Sequence, residues 1–258
     1  MEAFELSDTQ PIRAIVQAVP QLPAIPAMFQ TLRRLLADPT TGTLEVAVTV
    51  QQDPAISAKV LQLANSAAFR RGAPIASVAA AVQRLGTSLI SRLVMVEGVL
   101  ATHVPVARFK FPAEARAYFL ASLVAEAAVS PAARDEASLA VLLCPIGKLV
   151  MIAAAPDRME QVMILAGDDA ERAITEELRL FGTTHAAVGG HLINAWGLPA
   201  SVAFAVTTQY TGSVSDEITA ATTLATRDVR GMRVMPGSLS TFAATWDRHR
   251  ARLAFVET

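Results

Sequence analysis

Apolar residues recur along this chain at the three-to-four spacing of amphipathic helices. Met28, Phe29, Leu32, Leu35 and Leu36 fall on one face, with Arg33 and Arg34 pointing away. Asp38-Pro39 ends that helix, and Thr43 is placed to cap the next, which carries Leu44, Ala47 and Val48. Asp53-Pro54 reads as an N-cap followed by proline at the first helical position. The carboxylate can accept from free backbone N–H groups, and proline has no N–H to leave unsatisfied. Ile56, Val60, Leu61 and Ala64 give that helix its buried face, and Asn65 and Ser66 lie near its end. Ser77 is placed to cap a short helix with Val78, Ala81, Val82 and Leu85, and Gly86 to terminate it. Thr87 or Ser88 starts another helix, which runs through Leu100.

The stretch from Thr102 to Pro112 is irregular and marks a lobe boundary. It suggests an N-terminal helical lobe, 1–104, and a second helical lobe with a C-terminal extension, 105–258. In the second lobe the pattern predicts helices at Ala113–Val129, Glu136–Ala154, Asp157–Ala166, Asp169–Leu180, His185–Trp196, Ala200–Thr208 and Asp216–Arg227. Asp168 and Glu171 have the spacing of a capping box. Gly197-Leu198-Pro199 is a stop-and-restart signal, and Gly189-Gly190 reads as close helix packing. Alternation with period two is absent, so the expected class is all-α.

Composition narrows the function classes. Of 258 residues, 52% are hydrophobic and 17% charged, which excludes a disordered chain. Aromatics are only 5%, so the interior must be built mainly from small and aliphatic side chains. A net charge of −1 offers no footprint for nucleic acid or an anionic membrane. Cys144 is the single cysteine. No intrachain disulfide can form, and a reducing, cytoplasmic setting is expected. The acidic start lacks a signal-peptide hydrophobic region. The most apolar stretch, Leu139–Ala155, is interrupted by Pro145 and Lys148 and is shorter than the ~20 residues of a membrane span. It reads as buried helix.

Several short motifs in fixed order resemble the HDOD family, the HD-related output domains of bacterial signalling proteins. They are Leu22-Pro23-Ala24-Ile25-Pro26, Gln52-Asp53-Pro54, Leu63-Ala64-Asn65-Ser66, Pro74-Ile75-Ala76-Ser77, Ala81-Val82 and Leu85-Gly86. The resemblance covers roughly Pro20 to Tyr210. It implies an N-terminal helical lobe packed on a C-terminal lobe like an HD phosphohydrolase domain. Leu142-Leu143-Cys144-Pro145-Ile146-Gly147-Lys148-Leu149 is similar to the family's LLHDIGKL, with Cys144-Pro145 where His-Asp would bind metal. His185-Ala186-Ala187-Val188-Gly189 matches a family helix start. Trp196-Gly197-Leu198-Pro199 matches the following turn. Gln209-Tyr210 stands where the family often has His-His, and Ala121 stands in an upstream histidine slot.

The chemistry of these replacements follows from the ligands. A divalent metal held by His and Asp lowers the pKa of bound water and polarises a phosphoryl oxygen. Proline offers no side-chain ligand, and one thiolate favours soft metals. His103, His185, His191 and His249 form no paired ligand motif, and His185 and His191 point to different helix faces. His185 beside the Thr184 cap reads as a packed or hydrogen-bonded residue at a helix start, and Cys144 as a small buried residue. Asp53 reads as a cap, with Asn65 and Ser66 closing the same helix. The alternative is an exposed partner patch of Gln52, Asp53, Asn65 and Ser66. Arg227, Arg230 and Arg233 recur at every third position, and Arg248, His249, Arg250 and Arg252 cluster later. Such a stripe could hold a phosphate, but it reads first as a solvated basic face.

The expected function is therefore that of a non-catalytic regulatory module, a degenerate HD-type pseudo-phosphohydrolase that binds signalling proteins. No cofactor, bound metal, nucleic acid or membrane is expected. The alternative is a sensor binding a nucleotide or cyclic dinucleotide in the vacated cleft near Cys144, Lys148, His185 and Gln209. A residual metal-dependent phosphohydrolase is the third reading.

Overall fold

The computed structural model describes residues 9–19, 25–67, 69–100, 111–211, 214–232 and 239–253. Among these residues every regular element is an α-helix and no strand occurs. The expected all-α class is the observed one. The chain divides into two units, one of Met1–Pro23 with His103–Trp246 and one of Ala24–Thr102 with Asp247–Thr258. The leading helix α1 (Thr9–Ala18) therefore joins the later unit instead of the helices that follow it in sequence. Its buried Ile12 and Ile15 supply the reason, because α1 packs on α9 (Ile146–Ala154) and α12 (His185–Ala195).

The unit of Ala24–Thr102 contains α2 (Ala27–Leu36), α3 (Thr43–Gln51), α4 (Pro54–Ala64), α5 (Val78–Leu85) and α6 (Thr87–Leu100). Phe29 and Leu32 are buried on α2, whereas Leu36 at its end is exposed. Pro26 precedes α2 and lies against Gly98 of α6, where any β-carbon would collide with its ring. Helix α3 starts one residue earlier than expected. Gly42, not Thr43, is the N-cap, and the Glu45 carboxylate accepts from the Gly42 N–H at 3.0 Å. Asp53 caps α4, accepting from the N–H groups of Ala55 (2.8 Å) and Ile56 (3.1 Å). Ser77 accepts from Ala80 N–H, and Gly86 ends α5 with φ +81°.

Asn65 has a longer reach than a helix-closing residue. Its side-chain amide donates to the Ile75 carbonyl at 2.8 Å, and its oxygen accepts from the Ile75 N–H at 2.9 Å. It thereby fastens the segment after α4 by both backbone groups of one residue. Ser66 does close the helix, donating to the Leu63 carbonyl at 2.7 Å.

The larger unit adds α7 (Phe111–Ala128), α8 (Arg134–Leu143), α10 (Pro156–Ala166), α11 (Ala170–Phe181), α13 (Ala200–Thr208) and α14 (Glu217–Arg230). A last helix, α15 (Ser240–Leu253), carries the buried Trp246 and is divided between the two units after that residue. The single helix expected over Glu136–Ala154 is instead two, α8 and α9, broken at Cys144-Pro145. Proline has no N–H for the helical ladder, and its ring crowds the preceding turn. By length and composition Arg134–Ala154 could cross a membrane, but 83% of its apolar window is buried inside the protein. Asp169, not Asp168, caps α11, accepting from Glu171 and Arg172 N–H groups at 2.9 and 3.0 Å. Thr184 caps α12 through Ala187 N–H.

Glycines set the spacing around α12. A β-carbon on Gly147 of α9 would collide with the His185 carbonyl oxygen and lie 2.7 Å from Gly189 N. On the other side, a β-carbon on Gly190 would meet the Thr207 hydroxyl and the Ala203 carbonyl of α13. Gly189-Gly190 thus serves close helix packing, as the sequence indicates.

Two stability outcomes follow. Asp53→Ala removes a cap with two good hydrogen bonds and is expected to cost about 1 kcal/mol, read by urea denaturation. Gly147→Ala forces α9 away from α12 and is expected to cost more, about 1–3 kcal/mol. An unchanged denaturation midpoint for Gly147→Ala would contradict the close approach.

Candidate functional site

Three helices of the larger unit bring charged side chains into one largely buried group. Helix α7 carries Glu114 in its first turn. Tyr118 and Ala121 follow at the i+4 and i+7 positions, so all three share a helix face. Tyr118 and Ala121 are buried. The Cys144-Pro145 break starts α9 and places Lys148 in its first turn, with only 3% of its side chain exposed. Lys148 Nζ donates to Glu114 Oε1. Arg230, at the end of α14, donates to the same oxygen at 3.1 Å. One carboxylate therefore bridges an ammonium and a guanidinium. Burial alone would raise the pKa of Glu114, but Lys148 and Arg230 outweigh it and hold the carboxyl below its usual range. Burial holds Lys148 below the usual lysine value, partly offset by Glu114.

A second set lies around His185. Glu177 of α11 and His185 are each 1% exposed. Glu177 accepts from the His185 backbone N–H at 2.9 Å, and either of its oxygens is 2.8 Å from the ring Nδ1. The Tyr210 hydroxyl lies 3.2 Å from the ring Nε2. Burial holds His185 below its ordinary value despite the Glu177 carboxylate. Burial also raises the Tyr210 phenol above its usual range. These shifts fit a neutral imidazole that donates through Nδ1–H to Glu177 and accepts the Tyr210 O–H at Nε2. Glu177 is itself held below its ordinary value. Burial would raise it, but the charge His185 gains in acid and the two His185 N–H bonds outweigh that.

The remaining sequence candidates are stitched in by neutral bonds. Gln209 donates to the Cys144 carbonyl at 3.3 Å and to the Val206 carbonyl at 2.9 Å, and accepts from the Thr226 hydroxyl at 2.9 Å. The Cys144 thiol faces the Ala140 carbonyl at 3.4 Å and the Thr226 hydroxyl at 3.7 Å. Burial pushes it up to about 12, so it is a thiol at neutral pH. The structure thus joins Cys144 to Gln209 and His185 to Tyr210, with Lys148 nearby. Elsewhere, Gln52 is exposed, whereas Asp53 and Asn65 spend their side chains on the cap and on Ile75. His103, Arg233 and residues 22–24 lie outside the described residues.

Three charged participants go beyond the sequence candidates. Glu114 is one, and Arg230 in this role is another. Arg230 belongs to an ion pair with Glu114, not to a solvated stripe, whereas Arg248 and Arg250 are exposed. Glu177, the third, does leave a signal in the sequence, since it lies at the i+7 position from Ala170 and the i−4 position from Phe181, the buried face of α11.

A divalent metal, which kinship with HD phosphohydrolases would imply, does not fit these residues. Pro145 has no ligand atom, Cys144 is a buried thiol, and both glutamates are engaged by the chain's own donors. Among the described residues no group of three His, Cys, Asp or Glu side chains is placed to hold a metal ion.

The pH response follows with a definite sign. His185 has a folded value below its ordinary 6.5, so the unfolded chain takes up the proton first. Its contribution is complete above that value and is lost as pH falls through the lower folded value. Glu114 and Glu177, held below their ordinary 4.5, add a further loss at lower pH. The urea midpoint is expected to fall between about pH 7.5 and about pH 5.5, and His185→Gln to flatten that fall. An equal fall in His185→Gln would contradict the assignment.

The fold recurs in solved structures. A provisionally assigned signal transduction protein from Marinobacter aquaeolei aligns with TM-score 0.74 at 18% identity, over 100% of this chain and 67% of its own. An HDOD domain protein of unknown function from Geobacter sulfurreducens aligns with TM-score 0.68 at 23% identity, over 95% and 87%. A provisionally assigned phosphohydrolase from Shewanella amazonensis aligns with TM-score 0.64 at 21% identity, over 94% and 98%. At these identities the likeness is one of fold. No curated protein matches the sequence. The HDOD domain model matches residues 22–211, most of the chain, and the chain belongs to the HDOD family.

Proposed function

We propose that this chain is a signal-transduction module that works by contact with a signalling protein and does not hydrolyse phosphoesters. The observation that carries this reading is the internal engagement of the site's two acids. Glu114 is held through one oxygen by Lys148 and Arg230, and Glu177 through both oxygens by His185, which sets each acid against the chain's own donors. The Cys144-Pro145 replacement of His-Asp supports it from the sequence side. The signalling assignment of the Marinobacter neighbour and membership of the HDOD family are in keeping with it. The Shewanella neighbour carries a phosphohydrolase assignment, and the ligand chemistry here argues against extending it to this chain.

An exposed apolar pair gives the contact half of the proposal something to test. Leu44 and Val48, one turn apart on α3, are 65% and 52% exposed, and Gln51 and Gln52 follow them.

The test has two arms. The purified protein is expected to retain no stoichiometric divalent metal after desalting and to release no product from a phosphodiester with added manganese. One equivalent of retained metal with turnover proportional to it would overturn the non-catalytic reading. In the native host, cross-linked partners of the wild type are expected to be lost in a Leu44→Asp/Val48→Asp variant of unchanged melting temperature. Absence of any reproducible partner of the wild type would count against contact as the mode of action.

A further inference from the structure

Glu114 sits where a ligand would sit. A single carboxylate oxygen accepts from an ammonium and a guanidinium supplied by two other helices. Carboxylate and phosphate are the groups that such a pair binds best, because both present charged acceptor oxygens to charged donors. Exposure rises from Lys148 at 3% through Glu114 at 11% to Arg230 at 24%, so Arg230 is the member of the set most open to solvent. One helical turn before Arg230, Arg227 keeps its Nε and Nη1 out of solvent, and neither atom has a hydrogen-bond partner. Glu177 also acts on Lys148, and both of its oxygens lie within hydrogen-bond distance of His185.

We propose that Lys148 and Arg230 form a site for a phosphate group, with Glu114 as its built-in competitor. The carboxylate holds the two cations until a phosphate monoester or free phosphate exchanges with it. Exchange leaves Lys148 with an anionic partner, and the displaced Glu114 carboxylate has to turn out to water, so no uncompensated charge remains in the interior. Release of Glu114 frees the first turn of α7, which converts occupancy of the site into a change at a helix end. This inference rests on the ligand-sensing alternative for the cleft and is independent of the contact reading, since its test involves no partner protein.

The experiment is calorimetric titration of the full-length protein with inorganic phosphate and, separately, with adenosine monophosphate, against chloride at matched ionic strength. Saturable binding by the wild type is expected. Glu114→Gln, which removes the competing charge, is expected to bind at least about tenfold more tightly, and Arg230→Gln to lose binding. Tighter binding of the nucleotide would identify a phosphate monoester as the ligand class, and equal binding free phosphate. Should Glu114→Gln fail to fold, hydrogen exchange on the wild type decides the same question. Phosphate must then speed exchange of the backbone amides at 115–118. No saturable binding, unchanged affinity in folded Glu114→Gln, or unchanged exchange at those amides would overturn the proposal.

Discussion

The ammonium of Lys148 is carried into a helical interior, and the surrounding side chains have to compensate it. Taking such an ion from water into a low-dielectric medium costs several kcal/mol even after relaxation. Glu114 provides the opposing charge, yet a carboxylate shared with a second cation is only half available to the first. Arg230 must then be balanced as well, and Glu177 adds negative charge close to Lys148. The result is a buried set in which two acids face two bases and the histidine stays neutral. Such a set does not stabilise the fold by much over an apolar core of the same shape. What it does is penalise every arrangement that separates its members. The starts of α7 and α9 and the end of α14 are fixed relative to one another for that reason.

Backbone geometry makes this charge arrangement reachable. Pro145 breaks the ladder after α8, so α9 begins afresh and Gly147 and Lys148 both fall in its first turn. Gly147 lets that turn lie against the His185 carbonyl, which a side chain would forbid. Lys148 comes close enough to act on His185 because Gly147, its neighbour in the chain, has no β-carbon to collide with the His185 carbonyl. The bond from Glu177 to the His185 backbone N–H holds the start of α12 from the other side. A proline and a glycine, neither of them charged, decide where the charges meet.

How much of this is legible in the sequence depends on the range of each interaction. Caps at Asp53, Ser77 and Thr184, and the turn at Gly86, depend on residues within one helical turn, and all are readable. The differences there are single steps, Gly42 for Thr43 and Asp169 for Asp168, because adjacent residues can offer similar capping chemistry. Pro145 is visible as an interruption, but the apolar character on both sides of it reads as one helix where the backbone makes two. Local pattern gives Asn65 the wrong partner because Ile75 lies ten residues on. Arg230 and Glu114 are 116 residues apart, and no local pattern links them. An arginine repeat on a helix looks the same whether it meets water or a buried acid. The site is legible as a set of replacements at Cys144, Pro145, Gln209 and Tyr210, and illegible as the charge network that the larger unit builds beside them.

That network changes what the cleft asks of a ligand. A site lined by His and Asp presents electron pairs and calls for a cation. With His-Asp replaced by Cys144-Pro145, the bases Lys148 and Arg230 dominate the donors, and the group they hold is an anion. The chain supplies that anion itself through Glu114. An ammonium such as that of Lys148 has no open coordination position at which to activate water. Loss of the hydrolytic ligands and retention of a charged interior are consistent with each other. On the non-catalytic reading proposed above, the site keeps an electrostatic demand that a negatively charged group, here Glu114, meets.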